Sequence, residues 1–338
     1  KKRLSRFKNK WLKVKLNLGI NLKYCKQVGV KNMDVNQELM SKNGLACIKM
    51  ARIVIGIPLG GRLPTVSELS VENDIPIGTT HNALKTLIKT GAVEVVSRGH
   101  MGAYLVNKDV KKLLHLIGVQ YLFGAMPLPY TKRFEGLASG LISQMKNSDD
   151  IPVNLAYMRG SKNRIEMLTS GRYDFAIVSK MAAKEYLKKH DDVDILIDFG
   201  PFSYTKQHVV MFHDNNETEI RDGMRIGVDK SSIDQTILTE KLCGGKNVEF
   251  VEVQYLRMFE KIMDGSIDAT VMCLGETNKQ ALNIKCNPFD TDLDSTNAVL
   301  IVDSNRKELH VLINELVDKD EILNIQKQVL DGKIQPSY

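Results

Sequence analysis

A short motif that occurs twice, 94 residues apart, constrains the fold of the second half of this chain. Residues 171–178 read Gly-Arg-Tyr-Asp-Phe-Ala-Ile-Val, and residues 265–272 read Gly-Ser-Ile-Asp-Ala-Thr-Val-Met. A glycine commonly ends a helix in the left-handed conformation, and the apolar run that follows it is typical of a short buried strand. The repeat therefore predicts two lobes, each of which contains the same helix-turn-strand unit.

Strand-like and helix-like segments alternate around this repeat. Strands that alternate with helices favour an α/β fold with mostly parallel sheets. We therefore predict a two-lobed body at residues 111–338, with lobe 1 at about 113–212 and 296–338 and lobe 2 at about 222–290. The predicted pairs of strand and following helix are 114–119 with 131–145, 153–157 with 162–169, and 224–228 with 233–242, and a further strand at 298–302 returns to lobe 1.

A second organised segment precedes this body. Residues 65–68 have the Thr-x-x-Glu pattern of a capping box, which begins a helix. A second helix is expected at about 79–89, with its apolar side chains on one stripe. Two short strands then flank a glycine-rich, basic hairpin tip at 97–102. Helix, turn, helix and hairpin form the plan of a winged helix-turn-helix domain, which we place at residues 40–110.

In such a domain the second helix enters the major groove, and the hairpin, or wing, touches the DNA backbone or minor groove. His81 and Asn82 are the side chains expected to read base edges. A winged helix that makes only protein contacts is the alternative for this domain. The candidate DNA-contacting residues are Arg62, Thr65, Ser67, Thr79, Thr80, His81, Asn82, Lys85, Arg98, Gly99 and His100.

Residues 61–106 resemble the GntR family of bacterial regulators. Members of that family usually carry one arginine early in the recognition helix and another within it. Those places here hold Ile77 or Gly78, and His81, which argues against direct readout of guanine by a bidentate arginine. The resemblance rests on Gly61-Arg-Leu-Pro-Thr65, Glu68-Leu69, Thr79-Thr80, Ala83-Leu84, Leu87, Gly91, Gly99, Gly102 and Tyr104.

The two-lobed body resembles the type II periplasmic-binding-protein fold, because the repeated Gly-x-[Tyr/Ile]-Asp unit is typical of it. The chain from about Met40 to Tyr338 is also similar to the YhfZ-type transcriptional regulators. That resemblance implies a cytosolic DNA-binding regulator with a small-molecule-sensing domain, and it names no effector. It rests on residues 125–131, 135–141, 158–160, 178–179, 182–183 and 336–338.

In the binding-protein fold the ligand lies between the lobes, where helix N-termini and free backbone N–H groups favour anions. Arg159, beside Gly160 and Ser161, suggests a clamp for a carboxylate or phosphate, with a surface or interlobe salt bridge as the alternative. Cys273 is more readily interpreted as a small buried residue than as a nucleophile. The candidate ligand-binding residues are Tyr130, Thr131, Arg159, Gly160, Ser161, Ser179, Ser231, Ser232, Cys273 and Glu276.

Charge is distributed unevenly along the chain. Residues 1–31 contain eleven basic residues and no acidic one, and residues 50–112 contain eight basic and five acidic residues. Residues 113–338 contain 26 basic and 33 acidic residues. A basic front on an acidic body favours an anionic partner for the front alone. Residues 1–39 are interpreted as a disordered tail or a non-native extension, with a DNA-binding arm as the alternative.

Several functional classes lack support in the sequence. The five cysteines form no CxxC pair or zinc-type cluster with histidine, so we expect reduced thiols, no metal and no cofactor. No apolar run approaches ~18 residues and no signal peptide is evident, so a cytoplasmic protein without a membrane partner is expected. The predicted loops pair no nucleophile with a base and no two carboxylates, so no catalytic residue is expected.

These observations predict a bacterial transcriptional regulator rather than an enzyme. Its winged helix would bind double-stranded operator DNA as a homodimer on a two-fold site. Its body would sense a small, anionic metabolite that carries a carboxylate or phosphate. The alternative is a biosynthetic enzyme on the same two-lobed fold with an attached winged helix. A third interpretation, a solute-binding protein for transport, is disfavoured by the missing signal peptide.

Overall fold

A computed structural model describes residues 40–146, 152–273, 286–289 and 291–338. These residues form one two-stranded sheet and two five-stranded sheets. The basic segment at residues 1–39 and the predicted ligand residue Glu276 lie outside the described residues.

The front of the described chain is a winged helix-turn-helix head, as the sequence predicts. Its second helix begins with a complete capping box, in which Glu68 N–H donates to Thr65 Oγ1 at 3.2 Å and Thr65 N–H donates to Glu68 Oε2 at 2.6 Å. The first helix was not predicted and packs against the third. The elements are α1 Lys42–Ile55, α2 Val66–Asn73, α3 Ile77–Lys89, β1 Val93–Ser97 and β2 Ala103–Lys108.

The chain then enters lobe 1 through a short helix. That helix, α4, occupies part of the segment that the sequence predicts as a strand at 114–119. Leu113, Leu114 and Ile117 are buried while His115 and Leu116 are exposed, which is helical spacing rather than strand alternation. The elements are α4 Val110–Leu116, β3 Leu122–Met126, α5 Lys132–Lys146, β4 Val153–Tyr157, α6 Ser161–Thr169, β5 Phe175–Ser179, α7 Lys180–Leu187 and β6 Val193–Gly200.

Lobe 2 begins earlier than the sequence predicts. The predicted boundary leaves residues 208–212 in lobe 1, but their strand, β7, pairs with two strands of the lobe 2 sheet. An apolar strand satisfies either sheet, so its sequence alone does not assign it to a lobe. The elements are β7 His208–Phe212, β8 Arg225–Val228, α8 Ile233–Leu242, β9 Glu249–Glu252, α9 Met258–Met263, β10 Ala269–Cys273 and β11 Cys286–Pro288.

The chain finally returns to lobe 1 as β12 Ala298–Asp303, α10 Lys307–Leu316 and α11 Lys319–Leu330. The lobe 1 sheet has the order β4-β3-β5-β12-β6, and the lobe 2 sheet has the order β11-β7-β10-β8-β9. In each sheet three neighbouring strands pair in parallel, and one strand, β12 in lobe 1 or β7 in lobe 2, pairs antiparallel with both of its neighbours. The prediction of mostly parallel sheets therefore holds only for the three strands on one side of each sheet.

The sequence repeat corresponds to the same structural unit in both lobes. Shifting β5 by 94 residues gives the bounds of β10, and shifting α6 gives a 3₁₀ turn at Tyr255–Arg257 followed by α9. The repeated aspartates make the same contact: Asp174 accepts from Phe123 N–H at 2.9 Å, and Asp268 accepts from Arg225 N–H at 2.7 Å. Each aspartate therefore fastens its unit to the neighbouring parallel strand.

The head and lobe 1 share one hydrophobic core. Buried side chains of α1, α4 and α10 belong to a single cluster that continues into the lobe 1 sheet. Lys108 reinforces this joint, because its ammonium donates to Ile55 O at 2.8 Å and lies 3.5 Å from a Glu315 carboxylate oxygen on α10. The head is thus packed directly onto lobe 1, and a change in lobe 1 has a physical route to the head.

Candidate DNA-binding head and effector cleft

Helix α3 divides cleanly into a buried and an exposed side. Thr80, Ala83 and Leu87 pack into the head. His81 and Asn82 are exposed, as is Lys85 one turn further along. The helix contains no acidic residue, and no side chain caps its beginning at Pro76. The exposed side of α3 therefore offers hydrogen-bonding groups and positive charge to a partner.

Two of the predicted DNA contacts have structural roles in the head. The buried Thr80 hydroxyl donates to Pro76 O at 3.3 Å, so the prediction that its side chain contacts DNA is wrong. The Thr65 hydroxyl is occupied in the capping box of α2. Thr79 is half-buried, and the remaining predicted side chains on α2 and α3, Ser67 included, are exposed.

The wing presents a guanidinium and an imidazole at the tip of its hairpin. Arg98 lies over the ring of Tyr104, with its guanidinium carbon 4.6 Å from the ring centroid, and His100 is exposed beside it. Gly99 and Gly102 both have positive φ, which lets the chain turn through this tight tip. Arg62 is exposed as well and forms an isolated antiparallel bridge with Tyr104. These residues form one exposed surface, as the sequence predicts for a wing.

A cleft separates lobe 1 from lobe 2 where their parallel strands end. Its cavity volume is about 50 Å³, and the cleft opens to solvent on one side. Lobe 1 contributes the segments after β3 and β4 and the first turn of α6, and lobe 2 contributes the segments after β8 and β9 and the end of β10. The cleft therefore lies where the sequence predicts an effector site.

The structure brings most of the predicted ligand residues to this cleft. Thr131, Ser179 and Ser231 do not line it. The Thr131 hydroxyl accepts from Phe134 N–H, Ser179 caps α7, and the Ser231 hydroxyl donates to Asp229. The predicted residues that do line the cleft are Tyr130, Arg159, Gly160, Ser161, Ser232 and Cys273.

Arg164 is one of the cleft residues that sequence reasoning missed. It is only 2% exposed, on the buried side of α6, and its guanidinium lines the cleft. It donates to Ile177 O and Met158 O, both at 2.8 Å, and to the Tyr204 hydroxyl at 3.0 Å. A guanidinium has five N–H donors and a permanent positive charge, and these three acceptors are all neutral. The sequence did contain one signal for its burial. Arg164 lies next to Ile165 and four residues before Leu168, so helical spacing places it on the same side of α6 as these two buried side chains.

On the lobe 2 side, the cleft is lined by the buried side chains of Asp229, Asp234 and His208. Asp234 accepts a hydrogen bond from Ser179 of lobe 1. Burial raises the pKa of this carboxyl, against the opposing effects of the Ser179 hydrogen bond and the charges of His208 and Arg164. Burial lowers the pKa of His208 to about 4, so its ring is neutral near pH 7. Lobe 1 therefore supplies the permanent positive charge of the cleft, whereas burial in lobe 2 disfavours the charged forms of Asp234 and His208.

Aromatic side chains from both lobes meet at the cleft. The ring centroids of Tyr130 in lobe 1 and Tyr255 in lobe 2 are 5.8 Å apart. The Tyr255 hydroxyl accepts from Cys273 N–H at 2.7 Å. Burial raises the pKa of the Cys273 thiol to about 11, so this sulfur stays protonated near pH 7. A protonated thiol is a weak nucleophile. Cys273, which is half-buried, is therefore better interpreted as a packing residue than as a nucleophile.

The two lobes touch directly beside the cleft. Arg159 donates to Gln254 Oε1 at 2.7 Å, Lys162 N–H donates to Ser231 O at 3.1 Å, and Ile233 N–H donates to Ser161 Oγ at 3.0 Å. Gly160 has a φ of +75°, and a Cβ on it would lie 2.5 Å from Ser231 Oγ. The predicted anion clamp at Arg159 is thus an interlobe contact, close to the alternative that the sequence left open.

The described residues contain neither a candidate metal-binding cluster nor a candidate membrane-spanning helix. Within the described ranges, no three His, Cys, Asp or Glu side chains are grouped so that they could hold a metal ion. In that same part of the chain, no helix has both the length and the apolar character needed to cross a bilayer.

Comparison with known proteins identifies the family. The family described as the YhfZ C-terminal domain matches residues 109–338, and a helix-turn-helix domain family matches residues 58–105. The chain is 35% identical to the uncharacterized protein YhfZ of Escherichia coli strain K12 over 308 residues, which cover 90% of this chain and 100% of that protein.

Two solved structures are also similar to the chain. The crystal structure of YhfZ from Shigella flexneri is 34% identical, with a TM-score of 0.57 over 68% of this chain and 97% of that one. The ligand-binding component of an ABC-type import system from Staphylococcus aureus is 15% identical, with a TM-score of 0.44 over 62% of this chain and 72% of that one. The chain belongs to the YhfZ family, with a helix-turn-helix head in front of the YhfZ C-terminal domain.

Proposed function

We propose that this protein is a DNA-binding transcriptional regulator whose cleft binds a small anionic effector. The observation that carries the proposal is the packing of the head against lobe 1. The head and lobe 1 share one core, and lobe 1 also supplies the cationic wall of the cleft. A ligand that draws lobe 2 towards lobe 1 therefore acts on the body to which the head is fixed.

The head supports DNA binding through the surfaces of α3 and the wing. His81, Asn82 and Lys85 present donors that fit base edges and phosphates in a major groove. Arg98 presents a cationic group and His100 presents hydrogen-bonding nitrogens at a wing tip, which fits contact with the backbone or minor groove. We extend the proposal to Arg62, Ser67, Thr79 and Gly99 as further contacts of the same surface.

Arg164 supports an anionic effector. Its buried charge has hydrogen bonds to neutral acceptors only, and two of its five N–H donors remain for a ligand. A carboxylate or phosphate fits a guanidinium through two parallel hydrogen bonds, and such a pair is strong because both groups are charged. Tyr130, Arg159, Gly160, Ser161, Ser232 and Cys273 are proposed as further walls of this site.

The proposal places the protein in the cytoplasm as a homodimer. Cytoplasmic DNA is the partner that a helix-turn-helix head requires, and two-fold operators are read by dimers whose heads face successive major grooves. The enzyme alternative has less support, because burial keeps the Cys273 thiol protonated near pH 7 and makes the His208 ring a weak base.

A mobility-shift assay tests DNA binding. The full chain is titrated onto DNA from upstream of its own gene and of neighbouring genes, at two salt concentrations, beside His81→Ala and Arg98→Ala. We expect a specific shift that both variants weaken, with Arg98→Ala also reducing the salt dependence. Glu94→Ala, a change at an exposed wing residue of opposite charge, is the control. A shift that is equal on random DNA would contradict the proposal.

A thermal-shift panel of small carboxylates and phosphates tests the effector site. At saturating concentration a ligand that binds the native state alone raises the melting temperature. We expect at least one anion to stabilise the wild type and to leave Arg164→Met unchanged. If the same anions stabilise both proteins equally, the cleft arginine does not bind the effector.

A further inference from the structure

An apolar side chain stands at the beginning of the recognition helix, where members of the GntR family usually carry an arginine. Ile77 is the first residue of α3, and 58% of it is exposed. It belongs to none of the hydrophobic clusters of the described residues. The Ile77 side chain therefore adds little to the packing of the head and is free to contact a partner.

The surroundings of Ile77 indicate which partner that is. His81 lies one turn further along α3, with Asn82 beside it, and both are exposed and polar. Lys85 follows on the next turn, and the helix carries no acidic residue. An apolar protein partner would have to bury these polar and charged groups without acidic complements on α3. A polyanion with a grooved, hydrogen-bonding surface fits the whole face.

We propose that Ile77 is a specificity-determining residue that contacts the C5-methyl group of a thymine in the major groove. The inference rests on the proposed DNA-binding function of the head and adds the base that this position selects. N-terminal residues of a recognition helix contact base edges. The thymine methyl is the apolar group on those edges, so it is the feature that an isoleucine side chain is suited to recognise.

The test uses DNA selected by the full-length protein from a library of random duplexes. Each thymine of the selected site is replaced in turn by deoxyuridine, which lacks only the C5-methyl group. Affinity is measured by fluorescence anisotropy at one salt concentration for the wild type, Ile77→Ala and Ile88→Ala. Ile88 is a matched control, since it is on the same helix, 43% exposed and also outside the hydrophobic clusters.

We expect one position in each half-site at which deoxyuridine weakens wild-type binding about fourfold, the effect of burying about one methyl group. Ile77→Ala should bind thymine and deoxyuridine DNA equally at that position. Ile88→Ala should keep the wild-type sensitivity. Both variants change exposed side chains, and circular dichroism verifies that they fold.

Two results would overturn the inference while leaving the proposed function intact. In one, no thymine replacement weakens wild-type binding. In the other, Ile77→Ala keeps the same sensitivity to deoxyuridine, so another residue contacts the methyl group. If the library yields no enriched sequence, the proposed function fails, and the inference fails with it.

Discussion

The two lobes contain the same repeated unit, yet they differ at one buried position. Arg164 of α6 corresponds to Met258 of α9 in the repeat, and both side chains are buried. Met258 packs with Ile262 and Ile267 in the core of lobe 2. In lobe 1 the equivalent position carries a charge that faces the cleft.

This difference shows that the unit does not need an arginine in order to fold. A methionine fills the position in lobe 2 without any buried charge, and burying a guanidinium costs free energy that its hydrogen bonds only partly offset. The arginine is therefore explained by the cleft rather than by the packing of lobe 1. Asp174 and Asp268, which are the same in both units and make the same contact, are explained by the fold.

The largest effect is expected when the lobe 1 residue is placed in lobe 2. Met258→Arg would bury a charge among apolar side chains with no acceptors arranged for it, and should destabilise the protein by about 4 kcal/mol or more. Met258→Leu, a swap of similar volume, should cost less than about 1.5 kcal/mol. Chemical denaturation of both variants measures the difference. Equal costs would mean that lobe 2 accommodates a charge as lobe 1 does.

The pH dependence of stability should come from the lobe 2 wall of the cleft. In the folded protein the pKa of His208 is about 4, below its usual 6.5. The stability that comes from keeping this ring neutral is therefore fully present above pH 6.5 and is lost as the pH falls towards 4. That difference amounts to about 3 kcal/mol. The raised pKa of Asp234, which faces His208 and Arg164, acts in the opposite direction and offsets part of the loss on acidification.

His208→Gln tests this assignment. The variant should lose less stability than the wild type between pH 7 and pH 4.5 in denaturation measured at each pH. Exposed His115 lies on α4 and does not line the cleft, so His115→Gln is the control and should keep the wild-type profile. A His208→Gln profile that coincides with the wild type would assign the pH dependence to other groups.

The smallest effect should separate the two repeated aspartates. Asp174 is paired with Arg306 and has a side chain 13% exposed, whereas the Asp268 side chain is 29% exposed and paired with Arg225. Removing the charge from a more buried ion pair lowers the free energy of unfolding by a larger amount. Asp174→Asn should therefore lower it by about 2 kcal/mol and Asp268→Asn by about 1 kcal/mol. Denaturation midpoints at constant slope give the comparison. The reverse order would show that exposure does not rank these pairs.

The sequence predicted the architecture better than the chemistry of the cleft. The repeat located β5 and β10 because a glycine turn followed by an apolar strand is a local pattern. The capping box located α2 for the same reason. The boundary at β7 and the strand expected at 114–119 were wrong, because a short apolar run does not specify its sheet or its period.

The candidate site was less predictable because its key contacts are long-range. Arg159 was favoured by its glycine and serine neighbours, but its partner, Gln254, is 95 residues away. Arg164 was overlooked because sequence alone does not show that an arginine on a helix is buried. A comparison of the two repeated units would have identified Arg164 as unusual, since the equivalent residue in lobe 2 is Met258.

The most direct test of the proposed function measures whether an anion bound in the cleft changes the affinity of the head for DNA. DNA affinity is determined by fluorescence anisotropy with and without the anion that most stabilises the wild type, for the wild type and for Arg164→Met. We predict that the anion changes wild-type affinity about fivefold or more. We also predict that Arg164→Met binds DNA as tightly as the free wild type and does not respond to the anion. An anion that changes the affinity of both proteins equally, or of neither, would contradict the account.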